Sequence, residues 1–197
     1  MGNGMVVYLI RHGKTMGNSQ GRYIGRTDEH VLQQELDVLA DRSGRLRELI
    51  EPDVVFVSPM LRCRETADVL FPGIGASVVQ DFRECDFGIF ENKTYDELKG
   101  LDEYREWLKT NGTGAFPQGE DTASFKERCV KAFFGAVGDC ANTCSTAVMV
   151  VHGGVIMAVL EAIEDTHDFY RWHCGNGEGF GIELIDGRCA KVWKLCY

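Results

Sequence analysis

The sequence predicts an α/β fold: a three-layer sandwich in which a mostly parallel central sheet carries helices on both faces and an antiparallel edge strand. Three observations carry this expectation. Apolar runs of strand length alternate with segments of helical periodicity, the pattern of strand–helix–strand units. Met5-Val6-Val7-Tyr8-Leu9-Ile10 and Ala147-Val148-Met149-Val150-Val151 are apolar throughout, as strands covered on both faces are. Near the end, two strand-like runs flank Asp186-Gly187, a strong hairpin signal. The 197 residues suit a single domain spanning 1–197.

The elements follow in order. A strand over 5–10 gives way to a loop rich in Gly, Arg and Asn, then to a helix over about 31–50. A second strand, Val54-Val55-Phe56-Val57, is ended by Ser58-Pro59, and a helix runs from there to about 70. Ser77 to Gln80 forms a short third strand. Tyr95, Leu98, Leu101, Tyr104, Trp107 and Leu108 repeat at helical spacing over 94–109. Gly112, Gly114, Pro117 and Gly119 interrupt the chain, and Asp121 caps a helix whose apolar face uses Phe125, Cys129, Phe133 and Phe134. The strand before His152, a helix over about 154–164 and a short helix over 166–173 precede the hairpin of 180–185 and 189–195. Residues 86–120 are long, irregular and punctuated by glycine, the place expected for a substrate lid.

Composition removes several function classes. Hydrophobic content of 44% and charged content of 26% are ordinary for a soluble domain. A net charge of −9 with no basic stripe argues against nucleic acid as a partner. No apolar run approaches the roughly 20 residues of a spanning helix, no leader with a cleavage site is visible, and Met1-Gly2-Asn3-Gly4 lacks the Ser/Thr of a myristoylation site. A cytoplasmic protein, monomer or homodimer, with no membrane partner is expected. The eight cysteines contain no CxxC pair and are expected as reduced, mostly buried thiols. A metal held by His173, Cys174 and Cys189 is the weaker alternative.

The chemistry concentrates at two histidines, each followed by glycine: Arg11-His12-Gly13 and His152-Gly153-Gly154. Each closes an apolar strand, so in a parallel sheet both stand at carboxyl ends, where open α/β sheets form their ligand crevice. Arg62 falls in the opening turn of the helix after the second strand. Arg11, Arg62 and a helix N-terminus at Gly153 would make an anion site, because guanidinium forks bind phosphate oxygens in pairs; Asn18 adds a neutral donor. Taken alone, Arg62 is equally an exposed helix arginine paired with Glu65 or Glu91, and Arg64 belongs to the solvated face. An imidazole near its ordinary pKa of about 6.5 is a free base at neutral pH, able to attack phosphorus if the other ring nitrogen keeps its proton. Glu84, just past the third strand, is the candidate proton donor. Asp86 competes with it, and a surface pair with Arg83 is the plain alternative.

Arg11-His12-Gly13-Lys14-Thr15, then Asn18, Gly25 and Asp28, resemble the RHGxT…N…GxxD opening of the histidine phosphatase (phosphoglycerate mutase-like) superfamily. Ser58-Pro59, Arg62 and Thr66-Ala67 resemble its SPxxRxxxTA block. Phe82 to Glu91 is similar to its LxExxFGxWEG block, and His152-Gly153-Gly154 to its second histidine. The resemblance implies His12 as nucleophile, Arg11, Arg62 and His152 around the transferred phosphoryl group, Glu84 as proton donor, and no cofactor or metal. His152 would be an electrostatic stabiliser. The chain departs from the pattern after Asp28, where His30 to Glu35 lack the usual helix cap and glycine; at Asn92, where glycine is usual; and at Phe116 to Asp121, an altered PGGES-type loop. The stretch from Arg83 to Glu97 looks most like α-ribazole phosphatases and their broad-specificity relatives. A phosphatase acting on small phosphate esters, α-ribazole 5′-phosphate among them, is expected, with a phosphoglycerate mutase-type transferase as the alternative.

Overall fold

The chain opens on β1 (Gly4–Arg11), a single turn α1 (Met16–Ser19) and α2 (Gln33–Leu49), then passes through β2 (Val54–Val57), α3 (Leu61–Leu70) and β3 (Ala76–Val78). Two 3-10 turns, Gln80–Phe82 and Gly88–Phe90, lead to α4 (Tyr95–Leu98) and α5 (Asp102–Lys109). α6 (Thr122–Cys140), β4 (Thr146–Val151), α7 (Gly153–Glu164), a 3-10 turn at Phe169–Trp172, β5 (Gly179–Ile185) and β6 (Arg188–Lys194) complete it. These elements are those of a computed structural model that describes residues 4–197; Met1 to Asn3, read above for lipidation, lie outside the described residues.

The six strands form one sheet in the order β3-β2-β4-β1-β5-β6. β3, β2, β4 and β1 run parallel, whereas β5 pairs antiparallel with β1, and β6 antiparallel with β5. The hairpin extends this side of the sheet by two strands: β5 alone runs against β1, and β6, outermost, is the expected edge strand joined by antiparallel pairing. Its turn is built as the sequence requires: Asp186 and Gly187 both adopt positive φ, 51° and 74°, the two left-handed positions of a tight hairpin turn.

Both faces of the sheet are covered. β4 shows why its sequence is apolar without alternation: Ala147, Met149 and Val151 join the core under α6 and α7, and Val148 and Val150 join the one under α2 and α3. Leu39 and Leu46 of α2, with Cys63, Ala67 and Leu70 of α3, close the second core. α6 starts where Asp121 accepts from the Ala123 and Ser124 amides, a side-chain cap for two amides that lack a partner within the helix. α2 begins at Leu32 with no side-chain cap, the consequence of the unusual residues after Asp28.

Several sequence expectations need correction. Phe134 is not a core residue: it is 44% exposed, while Phe133 is fully buried. The helical run over 94–109 breaks between α4 and α5, and the helix expected over 166–173 is a single 3-10 turn. Asn92 takes the positive φ (56°) usual for glycine, which asparagine tolerates better than most residues. All eight cysteines are free thiols, five of them buried. Among the described residues no three His, Cys, Asp or Glu side chains gather as a metal-holding group, and no helix is long and apolar enough to cross a membrane.

Candidate active site

Strand register brings the two histidines together. β1 and β4 are neighbours with Arg11 opposite Val151, so the next residue of each strand, His12 and His152, leaves the sheet side by side. The His12 amide donates to Val151 O, and the ring centroids lie 5.1 Å apart. β2 ends on the other side of β4, where the Ser58 amide bonds Val150 O. Its hydroxyl lies 2.7 Å from His152 Nε2. Three adjacent carboxyl ends thus place Ser58, His152 and His12 in a row.

Hydrogen bonding settles the His12 tautomer. Nδ1 stands 2.7 Å from Gly13 O, and a carbonyl only accepts, so Nδ1 carries the proton and Nε2 keeps its lone pair. Burial, then the Arg62 and Arg11 charges, hold His12 well below the usual imidazole pKa against the raising effect of that bond. Burial, then Arg62, His12 and Arg11, act likewise on His152. Both rings are therefore neutral near pH 7.

Arg62 is fully buried, which removes the reading of an exposed helix arginine. Its Nη1 and Nη2 donate to Thr27 O and Gly25 O, at 2.8 and 2.7 Å, while Arg64 lies in solvent. Arg11 Nη1 donates to Cys174 O at 2.6 Å. Those bonds leave Arg11 Nε and Arg62 Nε, both buried, without partners. Buried donors without acceptors are rare because each forfeits its hydration. Two of them on guanidiniums beside paired imidazoles leave open donors suited to an oxyanion.

Glu84 faces this cluster. Its Oε2 accepts from the Gly154 amide and its Oε1 from the Cys85 amide, each at 3.0 Å. Burial raises its pKa against the opposing pull of those bonds and the two arginines. The expected surface alternative is absent, since Arg83 pairs with Asp81 instead. Asp86 is committed elsewhere, accepting from Arg26 and the Gly88 amide. Gly153 opens α7 directly after His152. Asn18 is held through its Oδ1 by the Thr15 amide and Asn176, and it lines the same cavity as Arg11, Glu84, Gly153 and Gly154. That cavity, about 320 Å3, continues past Glu84 between aromatic side chains; the two buried imidazoles are not part of its walls.

Sequence reading missed three supporting groups. Thr66 Oγ1 accepts from the Gly13 amide and donates to Arg62 O, tying the first histidine loop to α3. Ser58 bonds His152. Asn176 donates to His12 O. Ser58 and Thr66 stood inside a motif already marked; Asn176 had only the signal of a Gly-Asn-Gly turn ahead of the hairpin.

A neutral, tautomer-fixed imidazole beside one buried and one half-buried guanidinium, at the carboxyl edge of a parallel sheet, defines a site able to hold and attack a tetrahedral anion. The model of the histidine phosphatase superfamily (branch 1) matches residues 7–194, and the chain belongs to that superfamily, whose members are phosphatases and mutases. It is 31% identical over 163 residues to a probable phosphoglycerate mutase GpmB of Klebsiella pneumoniae (strain 342), covering 80% of this chain and 74% of that protein. In fold it is similar to a putative alpha-ribazole-5′-P phosphatase from Escherichia coli str. K-12 substr. MG1655, with TM-score 0.87, 20% identity and coverage of 98% and 96% of the two chains. A phosphoglycerate mutase from Thermus thermophilus matches at TM-score 0.72 and 27% identity over 98% and 100%.

Proposed function

We propose that the protein is a phosphatase that hydrolyses small-molecule phosphomonoesters through a phosphohistidine on His12. The observation that carries this reading is His12 itself: neutral, with Nδ1–H committed to Gly13 O and two buried guanidinium N–H groups unpartnered beside it. In the first step His12 Nε2 attacks phosphorus and the P–O bond to the alcohol breaks. The leaving oxygen takes the proton of Glu84, whose raised pKa keeps a larger protonated fraction. Arg11, Arg62, Asn18 and the Gly153 amide bind the equatorial oxygens, and His152 donates to them as charge develops. In the second step the Glu84 carboxylate removes a proton from water, oxygen attacks phosphorus, and the P–N bond returns its electron pair to His12. Glu84 ends protonated and inorganic phosphate leaves.

The stretch from Arg83 to Glu97 favours α-ribazole 5′-phosphate among the candidate substrates. A second reading has its own support: the curated relatives are named as probable phosphoglycerate mutases, and a mutase would pass the phosphoryl group to a second alcohol. One experiment separates them. The protein is incubated with α-ribazole 5′-phosphate, butyl phosphate and 3-phosphoglycerate, and inorganic phosphate and 2-phosphoglycerate are both quantified. Phosphate release without isomerisation supports the hydrolase; 2-phosphoglycerate formed faster than phosphate supports the mutase.

A further inference from the structure

Resting on the hydrolase reading, we infer that the cavity beside Glu84 selects phosphomonoesters whose alcohol half carries a planar aromatic ring, with Tyr170 and its neighbours setting that preference. The geometry begins at the proton donor. A methyl group added at Gly154 would lie 3.0 Å from Phe125 Cζ and against Glu84 Oε1, so carboxyl and ring flank one point. An alcohol that takes its proton from Glu84 must send its carbon skeleton past Phe125. Beyond it the cavity walls include Tyr23, Trp107, Phe116, Phe169 and Tyr170.

These rings come from separate parts of the chain. Trp107 of α5 and Phe116 lie with centroids 5.0 Å apart, and Tyr23 meets Trp107 edge-on at 6.4 Å. Phe169 and Tyr170 approach from the 3-10 turn after α7. The two sides touch over the cavity at Gly112, where φ is +74° and an added Cβ would lie 3.0 Å from the Tyr170 hydroxyl and 3.4 Å from Trp107. Glycine is required there both for the backbone and for the close approach.

Charge points the same way. Arg22, the guanidinium at the alcohol end, already donates to Gln20, Asn92 O and Glu97, and Lys126 beside Phe169 pairs with Glu161. His173 is the remaining titratable base on these walls. A carboxylate on the alcohol, as in 3-phosphoglycerate, would compete with Glu97 for its cation. A three-carbon acid would also leave most of about 320 Å3 to water against apolar walls. An aromatic ring takes up more of that space with apolar surface and can meet its neighbours offset or edge-on, the favoured arrangements.

The test compares esters of matched leaving-group basicity: 2-phenylethyl phosphate, butyl phosphate and 3-phosphoglycerate, in the native chain and in Tyr170→Ala and Phe169→Ala. Tyr170 is 58% exposed, so its removal spares the fold. The expected kcat/KM for 2-phenylethyl phosphate is roughly tenfold or more above butyl phosphate, and the variants narrow that ratio several-fold. A native ratio within about twofold, or a ratio unmoved by both variants, overturns the inference. Calorimetry with the non-hydrolysable 3-phenylpropylphosphonate and butylphosphonate separates the two claims. Tighter binding of the aromatic phosphonate with no phosphate released from any ester keeps the aromatic slot and removes the hydrolase; equal phosphonate affinities with brisk release from both esters do the reverse.

Discussion

At the residue scale, one side chain is asked to be basic, unhindered and correctly protonated at once. His12→Ala removes the nucleophile while the guanidiniums remain, so turnover should fall by at least about a thousandfold with phosphate binding retained. Arg62→Ala should lower kcat/KM by roughly a hundredfold to a thousandfold, the scale of one lost oxyanion donor. In Glu84→Gln, kcat/KM, which reports the step that releases the alcohol, should hardly fall for p-nitrophenyl phosphate, whose leaving group needs no proton, yet fall strongly for butyl phosphate; equal falls in kcat/KM would remove Glu84 as the acid. The pH profile follows from the directions of the shifts. Activity needs neutral His12, whose pKa is lowered, and protonated Glu84, whose pKa is raised. The acid limb should therefore appear only well below the ordinary imidazole value, and the alkaline limb above the ordinary carboxylate value. A maximum of kcat/KM on the acid side of neutrality checks this.

At the element scale, the sequence exposed strands better than it exposed contacts. β1 and β4 were legible because runs buried on both faces are apolar throughout, and the hairpin because Asp-Gly supplies two positive-φ residues. The histidines, Arg62 and Glu84 were legible for a related reason: each sits one to a few residues past a readable strand. What could not be read are bonds between distant loops. Glu91, marked in the sequence only as the end of a block and as a possible partner of Arg62, instead accepts from the amides of Gly25, Arg26 and Thr27, holding the segment whose carbonyls in turn hold Arg62. Nor does helical spacing say which of two adjacent phenylalanines faces inward. The structure makes that error testable: Phe133→Ala should cost about 3–5 kcal/mol of stability, and Phe134→Ala within about 0.5 kcal/mol, by denaturant unfolding. Similar losses at both positions would contradict the packing of α6.

At the scale of the whole molecule, the site makes stability depend on pH and on anions. His12 and His152 have folded pKa values below the unfolded one, so the unfolded chain takes up protons first as pH falls below about 6.5. Stability from this pair is complete above that value and declines as pH drops through the lowered folded values. Glu84 acts in the opposite sense: its raised pKa favours the fold at low pH, and that contribution is lost as pH rises through the folded value. With two histidines against one carboxyl, Tm should fall on acidification from pH 7 to 5. Inorganic phosphate should raise it, by about 2.7 kcal/mol of stability at a hundred times its Kd, and Arg62→Ala should abolish that gain. The most direct measurement of the central claim is rapid quenching in alkali after mixing with 32P-labelled butyl phosphate, followed by peptide mapping. The account predicts an acid-labile, alkali-stable label on His12, absent from His12→Ala. Label on another side chain, or steady release of phosphate from a protein that never becomes labelled, would contradict it.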